Sequence, residues 1–124
     1  MRDGGLSHCS VLVVEDETLV AFDLEAMLQD LGFGEIVICE TIDRAREEME
    51  ARHFHAAVFD LNVDGELTTP LIDIAVARGA FTVIASGYDV SEIDAVPGDV
   101  RRLTKPYTED DVARVFADFA PPGS

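Results

Sequence analysis

The sequence predicts an α/β protein in which five parallel strands alternate with five helices in a doubly wound arrangement. Short apolar runs of strand length recur along the 124-residue chain, and most are followed by segments whose apolar residues recur at helical spacing. Alternating strands and helices with short connections favour parallel strands joined by right-handed crossovers. A chain of this length has room for one core, so we expect residues 1–124 to form a single domain.

Each element is assigned from its own local pattern. Helices are assigned where apolar residues recur three or four apart, and Gly32 and Gly79 end two of them, since glycine tolerates the left-handed conformation. Thr41 and Thr108 are typical helix caps. The predicted elements in chain order are a strand at 9–14, a helix at 18–31, a strand at 35–39, a helix from Thr41 to about residue 52, a strand at 55–60, a loop at 61–66, a helix at 68–78, a strand at 81–85, a weak helix at 88–94, an edge strand at 100–104 and a helix from Thr108 to residue 119.

The composition excludes some classes of partner. Acidic residues number 25 against 9 basic ones, and the formal net charge is -16. Nucleic acid and anionic membranes both require a basic face, so we expect neither as a direct partner. The first ten residues lack the apolar segment of a secretory signal, which favours a cytoplasmic location with Cys9 and Cys39 as buried thiols.

Polar residues follow four of the five predicted strands. Parallel sheets collect ligands beyond the carboxyl ends of their strands, so these positions are the candidate site. Alone, each has a plainer role, such as a helix N-terminal acid, a turn serine or a surface lysine. The strand-end residues are Glu15, Asp16, Asp60, Ser86 and Lys105.

Together these side chains have complementary chemistry. Three neighbouring carboxylates repel one another unless a cation lies between them, and Mg²⁺ prefers oxygen ligands of this kind. A lysine and a hydroxyl suit the oxygens of a phosphoryl group in transfer. Asp60 is the member best placed to attack phosphorus, because carboxylates form acyl phosphates in other enzymes.

Over about residues 9–119 the chain resembles the receiver domains of response regulators in two-component signalling. The resemblance implies a flavodoxin-like fold with strand order 2-1-3-4-5, a bound Mg²⁺ or Mn²⁺, and a cis peptide bond before Pro106. The positions that match are Glu15 and Asp16 as the acidic pair that binds metal, Asp60 as phosphoacceptor and metal ligand, Asn62 as the residue whose backbone carbonyl holds the metal, Ser86 as the switch hydroxyl, and Lys105 as the conserved lysine.

The resemblance also implies a function. A receiver domain accepts its phosphoryl group from a sensor histidine kinase or a histidine phosphotransfer protein. It then signals through contacts with a downstream protein target or passes the group on in a phosphorelay. We expect no output domain, a monomer or a phosphorylation-dependent dimer, and no enzyme activity beyond self-dephosphorylation.

Three departures from the family pattern concern the switch. Asp64 stands where the family often has proline, Arg102 stands where it usually has a switch aromatic, and the segment between Ser86 and Lys105 is short. The run from Ala85 to Tyr88 partly resembles the Ala-Thr-Gly-aromatic motif of stand-alone receivers that lack the switch aromatic. The switch candidates are therefore Ser86, Tyr88 and Arg102, and a bulky Tyr88 is expected to slow hydrolysis of the acyl phosphate.

Other functions fit the same residues less well. A degenerate receiver that binds its partner constitutively is the main alternative, followed by a small aspartate-based phosphatase, in which Asn62 occupies the place of a second aspartate. The run from Asp60 to Gly65 also resembles the start of an EF-hand calcium loop. That loop requires a glutamate at its twelfth position, where this chain has Leu71, so we reject it.

Overall fold

A computed structural model describes residues 6–87 and 100–121 of the chain. The strands in chain order are β1 (Ser10–Val14), β2 (Glu35–Cys39), β3 (Ala56–Asp60), β4 (Asn62–Val63), β5 (Glu66–Leu67), β6 (Phe81–Ser86) and β7 (Arg101–Thr104). The α-helices are α1 (Thr18–Leu31), α2 (Ile42–Ala51), α3 (Thr69–Ala77) and α4 (Glu109–Val115).

Five of the strands form one parallel sheet in the order β2-β1-β3-β6-β7. Counted along the chain, this is the order 2-1-3-4-5 that the family resemblance implies. The order reverses at β1, where the chain first adds β2 on one side and then β3 on the other. Such a reversal opens a crevice at the carboxyl ends of β1 and β3, where doubly wound proteins bind their ligands.

Both faces of the sheet are covered. On one face, Leu12 and Phe59 join a core cluster with α2 and α3, and on the other, Val11 and Val58 join a cluster with α1 and α4. All five residues of β1 are buried, which explains why its sequence is an apolar run without polar alternation. Full burial of a valine or leucine side chain contributes about 1.5–3 kcal/mol to folding.

Local chemistry sets most helix ends. Gly32 adopts the left-handed conformation, with φ of 110°, directly after α1. Thr41 Oγ1 accepts a hydrogen bond from the Arg44 N–H, and Thr108 forms a capping box with Asp111. The last helix is shorter than predicted, because α4 ends at Val115 and a 3₁₀ turn over Phe116–Asp118 follows it.

Four of the five predicted helices are present in the described residues, and the fifth, predicted at 88–94, lies outside them. One other feature differs from the prediction. The segment 61–66 is not a plain loop, since β4 and β5 pair as an antiparallel hairpin. Asp64 and Gly65 have positive φ values of 53° and 83°, as a two-residue hairpin turn requires.

Cys9 and Cys39 are buried and form no disulfide, as predicted. Burial raises the pKa of the Cys39 thiol to about 11, so this thiol is protonated at neutral pH. Within the described ranges, no helix combines the length and the apolar character that a membrane span requires.

Candidate functional site

The carboxyl ends of β1 and β3 bring three predicted site residues together. The two strands are parallel neighbours with Val14 opposite Phe59, so the next residues along each strand emerge at the same edge. One carboxylate oxygen from each of Glu15, Asp16 and Asp60 lies within 4.8 Å of the others. Asp60 is far from the adjacent Glu15 and Asp16 in the sequence, and the parallel pairing of the strands brings it to them.

Lys105 is the cation of this cluster and the one lysine in the sequence. Its Nζ donates hydrogen bonds to Glu15 Oε1 at 2.8 Å and to Asp60 Oδ2 at 3.0 Å. Burial alone disfavours the charged lysine, but the hydrogen bonds to the two carboxylates raise its pKa above the usual value. Lys105 is therefore an ammonium at any physiological pH and holds Asp60 in place.

Glu15 is the most deeply buried acid of the site, with 4% of its side chain exposed. Burial raises its pKa, and the hydrogen bonds from Lys105 and from the Glu17 N–H oppose that shift. The negative charge of Asp60 raises the pKa further. Three carboxylates thus meet one ammonium, and the excess negative charge with its hard oxygen donors fits a divalent cation such as Mg²⁺.

The β4–β5 hairpin closes one side of the site. The Asp64 N–H donates to Asp16 Oδ2 at 3.1 Å, and the Asn62 N–H is 3.5 Å from Asp60 Oδ1, a long and weak contact. Asp64 therefore contacts the site through its backbone N–H. The residue type at position 64 does not predict such a contact. Asn62 lies exposed at the start of the hairpin, and its carbonyl as a metal ligand stays a prediction.

The predicted switch residues are less closely tied to the carboxylates. Ser86 ends β6 at the same edge of the sheet, half-buried, and its Oγ makes a long contact of 3.4 Å with the Gly87 carbonyl. Arg102 is exposed on the edge strand β7, opposite Ile84. Tyr88 lies outside the described residues.

Tyr107 is a site neighbour that the sequence analysis missed. It follows the Lys105–Pro106 peptide bond, which is cis, as the resemblance implies. Burial and then the nearby charge of Glu15 raise the pKa of its phenol to about 12. Beside it, a groove of about 320 Å³ is lined by Val20, Asp23, Met27, Lys105, Pro106 and Tyr107.

A larger cavity of about 620 Å³ lies near the opposite end of the sheet, and its lining includes His53 and His55. It is remote from the acidic cluster, and ligands of parallel sheets bind at the carboxyl ends, so its size does not make it the site. His55 has a structural role, because its Nδ1 accepts a hydrogen bond from the Ser10 N–H at 2.9 Å.

The chain matches no family model and no curated protein sequence. Among solved structures it is similar to SdrG from Sphingomonas melonis Fr1, at 34% identity and a TM-score of 0.74 over 90% of this chain and 95% of SdrG. It is also similar to a CheY-like response regulator receiver domain from Methylobacillus flagellatus, at 20% identity and a TM-score of 0.76 over 90% and 98% of the chains.

A response regulator receiver protein from Sinorhizobium medicae WSM419 matches at 20% identity, with a TM-score of 0.77 over 86% and 90% of the chains. The structures from M. flagellatus and S. medicae are only 20% identical to this chain and show the fold alone. The 34% identity to SdrG is high enough to show that the two proteins are related. The strand order and the acidic cluster with its lysine agree with that relationship. This chain belongs to the receiver-domain family of response regulators.

Proposed function

We propose that this receiver domain accepts a phosphoryl group on Asp60 from a phosphohistidine of a sensor histidine kinase or a histidine phosphotransfer protein. The carrying observation is the Asp60 carboxylate, hydrogen-bonded to Lys105 at 3.0 Å and clustered with Glu15 and Asp16. An Asp60 oxygen bonds to phosphorus while the P–N bond to histidine breaks, and the histidine nitrogen keeps the electron pair. We place this exchange in the cytoplasm.

The donor set fits Mg²⁺ or Mn²⁺. Glu15, Asp16, Asp60 and the backbone carbonyl of Asn62 would hold the ion, which supplies positive charge to the carboxylates and to the phosphoryl oxygens. Lys105 then pairs with the phosphoryl group, and Ser86 hydrogen-bonds to it. Lys105 needs little movement for this role, because it already contacts the Asp60 oxygen.

The surface beside the site supports a protein as phosphodonor. Leu19 and Phe22 of α1 are 79% and 54% exposed, the largest values among the exposed large hydrophobic side chains of the described residues. Helix α1 also contributes Val20 and Met27 to the groove next to Lys105. Exposed apolar side chains on the helix next to a reactive carboxylate fit docking of a donor protein.

The output is a phosphorylation-dependent contact with a downstream protein or a further phosphoryl transfer. Ser86, Tyr88 and Arg102 are the residues proposed to couple Asp60 to that contact, in a monomer or a phosphorylation-dependent dimer. The exposed Arg102 in place of the switch aromatic favours the degenerate, constitutively binding receiver as second candidate. In either case the protein turns over no external substrate.

Labelling with phosphoramidate, a small P–N donor, separates these functions. With Mg²⁺ present, we expect phosphate incorporation on Asp60 that stops at one group per chain, and no sustained hydrolysis of a generic phosphomonoester. Sustained hydrolysis would instead identify a phosphatase. No incorporation from any donor with either Mg²⁺ or Mn²⁺ would favour the constitutive binding module.

A further inference from the structure

Thr68 is a buried hydroxyl that contacts the backbone of the phosphoacceptor. It is 0% exposed and lies eight residues after Asp60, just before α3. Its Oγ1 is 2.7 Å from the Asp60 carbonyl oxygen and 3.2 Å from that of Leu61, so its single proton is shared between two acceptors. The sequence analysis placed this threonine at the start of a helix and gave it no role.

The hydroxyl of Thr68 does not cap its own helix. Thr41 and Thr108 occupy the same position before their helices, and each accepts a hydrogen bond from a backbone N–H of the first turn. Thr68 makes no such bond. The second residue of α3 is Pro70, which has no N–H, and the Leu71 N–H already donates to the Thr68 carbonyl at 2.9 Å. The side chain is therefore available to contact the strand end instead.

Thr68 closes the base of the β4–β5 hairpin. Its own N–H donates to the Leu61 carbonyl at 2.9 Å, in addition to the contacts of its hydroxyl. The side chain of Thr68 thus contacts the two peptide units that leave β3, and its backbone N–H contacts the second of them. These units lie between the Asp60 side chain and Asn62.

We propose that Thr68 is a positioning residue for phosphoryl transfer: its hydroxyl fixes the Asp60–Leu61 backbone so that the Asp60 carboxylate and the Asn62 carbonyl face the same cation. The inference rests on the proposed phosphorylation of Asp60. Its physical basis is that near-attack geometry is sensitive to small displacements, so an ångström of freedom in Asp60 slows the reaction.

Thr68→Val tests the proposal because valine keeps the shape of threonine and removes the hydroxyl. With phosphoramidate and saturating Mg²⁺, we expect the labelling rate to fall by about 10- to 100-fold. Titration calorimetry should show weaker Mg²⁺ binding. Thr68→Ser keeps the hydroxyl and should restore both values to near those of the wild type, even though it loses a buried methyl group.

Thr41→Val is the matched control. It removes a hydroxyl that caps α2 and therefore lowers stability, but we expect it to leave the labelling rate and Mg²⁺ affinity unchanged. All rates are measured well below each variant's melting temperature. Where Thr68→Val does not fold, Thr68→Cys replaces it, since a thiol of similar size is a much weaker donor and should also slow labelling.

The outcomes are distinct. Failure of the wild type to take a phosphoryl group would remove the proposed function and this inference with it. A labelled wild type with an equally fast Thr68→Val variant would overturn the positioning role alone. Equal slowing in Thr68→Val and Thr68→Ser would also overturn it, because the effect would then follow packing rather than the hydroxyl.

Discussion

Replacement of Lys105 by methionine should uncover the repulsion between the site carboxylates. Methionine keeps an apolar side chain of similar length and removes the ammonium that bonds to Glu15 and Asp60 at 2.8 and 3.0 Å. Removing one partner of a buried ion pair costs about 3–5 kcal/mol. The side chain of Lys105 is 22% exposed and that of Glu15 only 4%, so we expect the lower end of that range in metal-free buffer.

Mg²⁺ should restore much of the stability that Lys105→Met loses in metal-free buffer. An ion that binds only the folded state stabilises it by about 2.7 kcal/mol at a hundred times its dissociation constant. The variant should also bind Mg²⁺ more tightly than the wild type does, because no ammonium competes for the carboxylates. Urea unfolding followed by circular dichroism, with EDTA or with Mg²⁺, measures both effects. Arg114→Met is the control, since its ion pair with Asp111 is exposed and should contribute less than about 1 kcal/mol.

The pH dependence of Lys105→Met follows from the two pKa shifts. The raised pKa of Lys105 stabilises the wild type throughout the range below the unfolded value of about 10.4 and loses that effect as pH rises through the folded value. The pKa of Glu15 is raised mainly by burial, so its ionisation disfavours the fold at neutral pH, more so without the lysine. The difference in the free energy of unfolding between the wild type and Lys105→Met should therefore decrease as pH falls toward the pKa of Glu15. Equal stability of both proteins in EDTA would refute this reasoning.

Three smaller perturbations test the rest of the structure by urea unfolding. His55→Ala should cost about 1–3 kcal/mol, because it removes the acceptor of the buried Ser10 N–H, and an unchanged midpoint would argue against that bond. Thr108→Ala should lower the free energy of unfolding by about 1 kcal/mol through loss of the helix cap. An unchanged free energy would mean that water replaces the capping hydroxyl. Hydrogen bonds with Thr108 lower the pKa of Asp111, so this acid stabilises the fold above its unfolded pKa of about 3.9. The deficit of Asp111→Asn should vanish as pH falls through the folded value, and a deficit that persists in acid would have another cause.

The parts of the fold that depend on local chemistry could be predicted from the sequence. The bounds of α1 and β2 agree with the prediction, because glycines fix the end of the helix and the strand is a contiguous apolar run. The strand order came from the family resemblance. The meeting of Glu15 with Asp60 then follows from parallel pairing.

Features that depend on contacts between distant residues were missed. The bond of Thr68 to Asp60 and the effect of Glu15 on Tyr107 require the register of several elements to be known. The hairpin was missed for a different reason. Asp64-Gly65 is a strong turn pattern, but the strands that it joins have only two residues each, too short to show alternation.

Intact mass spectrometry after incubation with Mg²⁺ and a small phosphodonor tests the central claim most directly. The account predicts one added phosphate on the wild type, none without a divalent ion, and none on Asp60→Asn. Asp64→Asn is the matched control, since Asp64 contacts the site through its backbone N–H, and this variant should still be labelled. Labelling of Asp60→Asn at the wild-type rate would contradict the account, because another residue would then be the phosphoacceptor.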